Sequence, residues 1–451
     1  MFDLESNIRS WSDHLRSSGK LKENDVMELE SHLRDEIDDL TESGLTQDEA
    51  FIISIKRLGN VNAISSEYSK INMTSFWKNL LVDRVDRDSE RKNRRNISMV
   101  VVFSLLAGTL AKIPELFGYQ FQNPDYTLFY FKNLSLFLFP FIALYFLLTR
   151  KLNWKYAVST MGFFCLSAII LNLYPSYAPG NTELLTGIHL PILLWLVVGI
   201  VYIGKGFSGS KGRMDFLRFT GETIIYGVLV LCGIIALGLF LGIIFSTIKI
   251  DLSRFIGEYF FVYGGCAAAM IAIYLVEAKK SIVENFAPVL AKIFSPLFLA
   301  SMAAFSIAMI ITAKSPYGER NFLIGFDLML VLVLGLVLYV ISARGLNDAP
   351  NFFDYMNLAL IIMALIINFV ALSAIVYRLS AFGISPNKIA ALGENLVLMV
   401  NLGGLAVLYP CFFRKKIEFS LLERWQTSYL YVYAVWTAVV AFAFPLIFNF
   451  Q

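Results

Sequence analysis

Charge is scarce in this 451-residue chain. Asp, Glu, Lys and Arg together make up 16% of it, against about a quarter in a soluble globular chain. With 57% hydrophobic residues, that shortage excludes an ordinary soluble enzyme, a disordered protein and a nucleic-acid binder. Cysteine is sparse too. Cys165, Cys232, Cys266 and Cys411 fall in or beside apolar runs, and none has a near neighbour in sequence. Neither a disulfide framework nor a cysteine metal site is expected. Histidine occurs at positions 14, 32 and 189 only. No Ser-His-Asp set, paired carboxylates or metal-ligand spacing can be assembled, so no catalytic residue, metal or cofactor is expected and the chain is not read as an enzyme. The segment Gly204-Lys-Gly-Phe-Ser-Gly-Ser-Lys-Gly-Arg213 lacks the G-x-x-x-x-G-K-[ST] spacing and follows no strand; it reads as a flexible basic loop. No internal repeat stands out. The first residues are polar and acidic, so no signal peptide is expected.

What the chain has in abundance is uninterrupted apolar sequence. Aromatic residues are 15% of it, with 39 Phe and 21 Tyr, and its mean hydropathy is +0.62. The runs do not alternate as barrel strands would, so the expected fold is all-α: a polytopic helical membrane protein with a small N-terminal bundle. Eleven spans are expected at 97–113, 127–149, 154–174, 187–204, 218–248, 255–277, 289–313, 322–343, 354–377, 389–409 and 428–448. Each is long enough to cross a ~30 Å hydrocarbon layer. The fifth is long enough to tilt or project.

Residues 1–74 are different. They hold 8 Lys/Arg and 15 Asp/Glu, a net charge of −7, while the remainder carries 30 Lys/Arg and 20 Asp/Glu, a net charge of +10. Leu4, Ile8, Trp11 and Leu15 repeat at helical spacing. So do Val26, Leu29, Leu33, Ile37 and Leu40, and later Val61, Ile64, Tyr68 and Ile71. Thr46-Gln-Asp-Glu49 reads as a capping box opening a further helix through Phe51, Ile55 and Leu58. The expectation is an acidic four-helix head over 1–74. A bundle that small is marginal alone, so a protein partner or a second copy of the chain would complete it. Leu33, Glu36 and Arg57 are its candidate docking or core residues.

The stretch Val26-Met-Glu-Leu-Glu-Ser-His-Leu-Arg-Asp-Glu-Ile-Asp-Asp-Leu40, followed by Gly44-Leu-Thr-Gln-Asp-Glu-Ala50 and Arg57-Leu-Gly59, resembles the permease prefix domain, also called the helix-turn-helix-associated α-helical signalling domain. The resemblance covers about 70 residues. It implies a bacterial cytosolic module fused to membrane segments and a partnership with PadR-type transcription regulators. The competing expectation is an acidic helical cap that aids only folding or assembly.

Residues 75–96 carry Phe76, Trp77, Leu80, Leu81 and Val85 on one helical face, with seven Lys/Arg among them. This reads as a basic amphipathic linker at the lipid interface, anchored by Trp77, Arg91, Arg94 and Arg95. With the N-terminus inside, inner segments from 75 onward hold 22 Lys/Arg and outer ends and loops hold 8. The positive-inside bias therefore expects a cytosolic head and a C-terminus outside; the resemblance of the head implies that the membrane is a bacterial inner membrane and that the outside is the periplasm.

Polar residues within spans are the sharpest functional pointers. Glu258, Asp327 and Glu394 each fall a few residues into a span that starts outside; Asn368 falls mid-span, and Asn395 and Asn401 follow in the tenth. The three acids are expected either to share a cation or proton site, with Asn368, Asn395 and Arg378 nearby, or to bind a basic partner, or simply to answer the positive ends of three helix dipoles. Between spans nine and ten, Tyr377-Arg378 … Gly383-Ile-Ser-Pro-Asn-Lys388 resembles the Tyr-Arg … Gly-Leu-Thr-Pro-Asn-Arg loop of a bacterial family of predicted inner-membrane proteins of unknown function. This chain has Ile-Ser for Leu-Thr and Lys388 for Arg. The resemblance implies location and fold, not a substrate. In that turn Asn387 is expected to cap the next helix.

Two functions are therefore expected to compete. In one, a sensory or regulatory membrane protein docks a regulator or transport component through its head. In the other, a transporter or channel for an ion or small molecule uses the head as a regulatory cap. An integral-membrane enzyme acting on lipid or glycan is the weakest reading, because no reactive set is present.

Overall fold

A computed structural model describes residues 3–17, 23–42, 45–58, 87–207, 209–247, 249–278, 286–311, 317, 320–346 and 348–450. The chain divides into two compact units, Met1–Asn93 and Arg94–Gln451.

In the first unit, α1 (Leu4–Ser17), α2 (Glu23–Glu42) and α3 (Gln47–Leu58) form the head. Their apolar stripes meet as the periodicity demands. Ile8, Leu33, Ile37, Ala50 and Phe51 are buried together, with Leu4, Trp11, Leu40, Leu45 and Ile55 packed around them. Leu33 has no exposed surface at all, so it belongs to the core and not to a docking face. Glu36 is half-buried. Arg34 clamps α2 to α1 by bonding both carboxylate oxygens of Glu5, at 2.6 and 3.0 Å, while also reaching Glu30. The Thr46 box forms in altered form: Glu49 reaches back to the Thr46 amide at 3.1 Å, and the Thr46 hydroxyl donates to the same carboxylate. The expected fourth helix over 61–71, Trp77 and the side chains of Arg57 and Arg91 lie outside the described residues.

The second unit is a polytopic bundle. Among the described residues, eleven helices are long and apolar enough to cross a membrane, each overlapping its expected run. The helix α4 (Arg87–Lys112) opens the series. Residues 87–96, expected in a separate interfacial segment, are instead its first turns; Arg94 and Arg95 are exposed there. Next come α5 (Thr127–Thr149), α6 (Trp154–Leu173), α7 (Asn181–Ile203) and α8 (Ser210–Thr247). With 38 residues, α8 is about 57 Å long at 1.5 Å per residue, well beyond the hydrocarbon thickness. The ninth, α9 (Ser253–Ala278), contains a π-helical stretch at Ile256–Phe260. Then follow α10 (Phe286–Ile311), α11 (Arg320–Ala343), α12 (Phe352–Phe382), α13 (Pro386–Phe413) and α14 (Ser420–Ile447).

Local chemistry sets the ends that matter. Asn351 and Asp354 form a full capping box at the start of α12. Gly383 ends α12 with φ +72°, a left-handed conformation that glycine tolerates. Pro386 then occupies the first turn of α13, where its missing N–H costs no bond. The residue preceding α13 is Ser385, so Asn387 is not the cap; its amide donates to Asn181 Oδ1 at the start of α7, 2.7 Å away.

Two apolar cores fill the bundle. One joins α4 to α9 around Phe146, Leu194, Phe219 and Met270. The other joins α10 to α14 around Phe326, Leu360, Leu402 and Leu422. Within the second core, α13 and α14 approach closely through a matched pair of contacts. The Trp436 ring lies where a Cβ on Gly393 would stand, and the Trp425 ring does the same at Gly404. Both glycines and both tryptophans are eleven residues apart, three turns of helix, so each pair shares one face.

Candidate functional site

The site lies in the second core, where α11, α12 and α13 meet. Asn395 Nδ2 on α13 donates to Asp327 Oδ1 on α11 at 2.8 Å, and to the carbonyl of Ala391 one turn back. Asn368, from the middle of α12, donates through Nδ2 to the Asn395 carbonyl at 3.1 Å. Asn368 and Asn395 have no exposed surface. Glu394 is next in the chain and lies within electrostatic range of Asp327. No hydrogen bond or ion pair joins Glu394 to another described residue.

Because the amide nitrogens are committed to acceptors, both amide oxygens face elsewhere. Asn368 Oδ1 and Asn395 Oδ1 are buried and meet no donor among the described residues. A buried acceptor left unmade costs about 1–3 kcal/mol. Asp327, the Asn395 amide and the Asn368 amide are thus linked where apolar helices meet, with Glu394 next to Asn395 in the chain and two buried amide oxygens left unfilled. Carboxylate and carbonyl oxygens suit hard cations, and a carboxylate within a span needs a proton or a cation to offset its charge.

The neighbouring polar network differs. Asn401 on α13 exchanges hydrogen bonds with Gln426 at 2.8 and 3.3 Å and donates to Tyr433 Oη at 2.8 Å, and the Trp425 indole donates to its carbonyl. Every polar atom of the Asn401 side chain is used, as expected of a structural tie between helices.

Asp327, Glu394, Asn368 and Asn395, four of the six polar residues expected to act together, are therefore neighbours. The other two are elsewhere engaged. Glu258 pairs with Arg254 on its own helix at 3.0 Å, and no hydrogen bond or ion pair links it to Asp327 or Glu394 among the described residues. Arg378 stacks over the Phe382 ring at 5.6 Å and makes no ion pair with Glu394. The helix-dipole alternative does not serve for the clustered acids. Asp327 and Glu394 lie seven and eight residues past the first residues of α11 and α13, and the dipole's effect fades within the first turn.

Sequence reasoning did not single out two buried ion pairs. Arg344 Nε meets Asp354 Oδ1 at 2.9 Å at the opposite end of α11 from the site, under the rings of Phe412 and Phe419. Lys132 meets Glu183 at 2.8 Å between α5 and α7. Residues 132 and 183 are 51 apart and each sits near a helix start, where a charge reads as interfacial. The Asn351/Asp354 capping pattern was the one local signal available for the first pair. No family model matches the chain, and no curated protein or solved structure is significantly similar to it.

Proposed function

We propose that this chain is a bacterial inner-membrane protein that binds a proton or a small hard cation at Asp327, Glu394, Asn368 and Asn395, as an ion-linked transporter or channel, with residues 1–74 as a regulatory cap. The observation that carries this reading is the Asn395–Asp327 bond inside the bundle, with the buried amide oxygens of Asn368 and Asn395 left unfilled. The Asn401 network, by contrast, uses every polar atom of its side chain. The Lys/Arg bias puts the N-terminus in the cytosol and the C-terminus in the periplasm; of the eight outer cations, Lys132 is already neutralised within the protein by Glu183.

The test is ion flux in proteoliposomes under imposed H⁺, Na⁺ or K⁺ gradients. Wild type is expected to pass one of these ions. Asp327→Asn and Glu394→Gln are each expected to abolish the flux, and Glu258→Gln to leave it intact. Equal flux in wild type and the two site variants would refute the assignment.

A regulatory reading of the head stands beside it, favoured by the head's own buried core and by its resemblance to the permease prefix domain. Under it the head docks a cytosolic partner such as a PadR-type regulator and touches no nucleic acid itself, its acidic surface disfavouring phosphate. Asp35 and Asp38 on α2 are exposed and suit a basic partner face. Photocrosslinkers at these positions in cells should capture such a regulator, and a Leu33→Asp head should not.

A further inference from the structure

A crevice of about 150 Å³ lies between α7, the first turns of α8 and α14. Its walls are apolar, with Leu196, Ile200, Phe216, Leu430 and Ala434 among them. Along α7 the lining runs from Leu193 to Ile203, about 15 Å at 1.5 Å per residue. That is half of the ~30 Å hydrocarbon layer, the depth of one leaflet.

Arg213 stands at the end nearest the α7–α8 connection. Sequence reading placed this residue in a flexible loop, but it lies in α8 and is only 8% exposed. Its Nη1 donates to the Phe207 carbonyl at 3.2 Å and to Tyr431 Oη at 3.0 Å, and the guanidinium lies 5.4 Å from the Tyr431 ring centre. Its Nε is buried and meets no acceptor among the described residues. Nη2 has no bonded partner there either, and no carboxylate pairs with the group. Nε and Nη2 form the edge of a guanidinium that holds a carboxylate or phosphate through two parallel bonds. The only edge already engaged is the other one. A buried cationic donor without an acceptor is costly, so the open edge selects for an anion.

We propose that this crevice is a binding site for an anionic phospholipid, with one acyl chain along α7 and the phosphate on Nη2 of Arg213, the accessible end of its open edge. Charge and shape both argue for this occupant. A free anion would use the guanidinium and leave the apolar wall empty. A zwitterionic lipid would use the wall and offer its phosphate to Arg213, but it carries a cation that Lys205 and Lys211 repel. Lys205 and Lys211, both exposed at the same connection, add attraction for an anionic headgroup, as basic pockets between membrane helices do.

The test uses the full chain in detergent, titrated separately with phosphatidylglycerol, phosphatidylcholine and inorganic phosphate and read by native mass spectrometry. Phosphatidylglycerol is expected to be retained in preference to phosphatidylcholine. Arg213→Gln should weaken that retention about tenfold, the loss of a charge-assisted bond. Arg213→Lys should weaken it comparably, because an ammonium cannot reproduce the fork. Ala434→Phe fills the crevice without touching Arg213 and should also lower retention, which keeps the test decisive if Arg213→Gln does not fold. Equal retention of phosphatidylglycerol by wild type and both Arg213 variants would overturn the proposal. So would equal retention of the two lipids by wild type. Tight binding of inorganic phosphate that Ala434→Phe leaves unchanged, with no preference for lipid, would overturn it in favour of a plain anion pocket.

Discussion

The bond between Asn395 and Asp327 can be measured alone. Asn395→Ala removes the donor that Asp327 Oδ1 receives at 2.8 Å, and Asp327→Ala removes the acceptor. Neither change disturbs the Asn368 contact, which uses the main-chain carbonyl of residue 395. A double-mutant cycle therefore isolates the 327–395 pair. Hydrogen bonds between membrane helices couple by about 0.6 kcal/mol on average and ~1.7 at most in such cycles. A short bond to a carboxylate belongs near the top of that range, so about 1.5 kcal/mol is expected, or roughly tenfold in the unfolding equilibrium. Uncoupled sites add to within about 0.3–0.5 kcal/mol, which leaves the signal resolvable. The assay is unfolding of the full chain in mixed micelles by SDS titration, followed through tryptophan fluorescence. The control is the cycle of Asp327→Ala with Glu258→Ala, whose side chains share no bond; it should be additive. A 327–395 coupling below ~0.5 kcal/mol would mean that Asn395 does not hold Asp327, and the cation reading would lose its geometric basis.

Leu33→Asp buries an uncompensated charge in the head core, at a cost of several kcal/mol; hydrogen exchange of peptides from α1 to α3 in the full chain should rise to the unfolded rate, and unchanged protection would mean the stripes do not meet. Arg34 holds the Glu5 carboxyl below its ordinary value of 4.5, chiefly by hydrogen bonding. A depressed carboxyl stabilises the fold above its unfolded pKa and ceases to do so as pH falls through its folded one, so protection of α1 should hold above the ordinary carboxyl value of 4.5 and decline as pH falls below it, a dependence that Arg34→Gln should flatten. Arg344→Ala should destabilise the second unit by about 3–5 kcal/mol, because Asp354 stays buried without its partner; a loss within 1 kcal/mol in the SDS titration would show that the pair contributes little.

The order and number of the membrane helices were legible because twenty apolar residues in a row have few other solutions. Their ends were less so. Hydropathy stops α14 at 428, yet its helix begins at Ser420, because Glu423 and Gln426 are polar in composition but buried in place. The same blindness hid the ion pairs: Lys132 and Arg344 looked like topology signals until their partners, far off or across a turn, folded onto them. At the site, depth was readable and azimuth was not. The sequence placed Glu258, Asp327 and Glu394 at similar heights, but which faces meet depends on helix neighbours, and α9 packs on α8 while α11 packs with α12 and α13. Arg213 was misread for a related reason, since a basic residue after four glycines carries no mark of the tyrosine 218 residues later that engages it.

The two glycine sockets on α13 act like the notches of a ratchet. A slide of α14 by one turn, about 5.4 Å, would drive Trp436 and Trp425 at once against Val397 and Leu408 in one direction, or Ile389 and Val400 in the other. None of these leaves room for a ring. Axial slippage is therefore blocked at two points three turns apart, and α13 and α14 travel as a single mechanical part. A movement that opens or closes the space around Asp327 is then expected on the other side of α13, where the Asn395 and Asn368 hydrogen bonds cross to α11 and α12 within the apolar core.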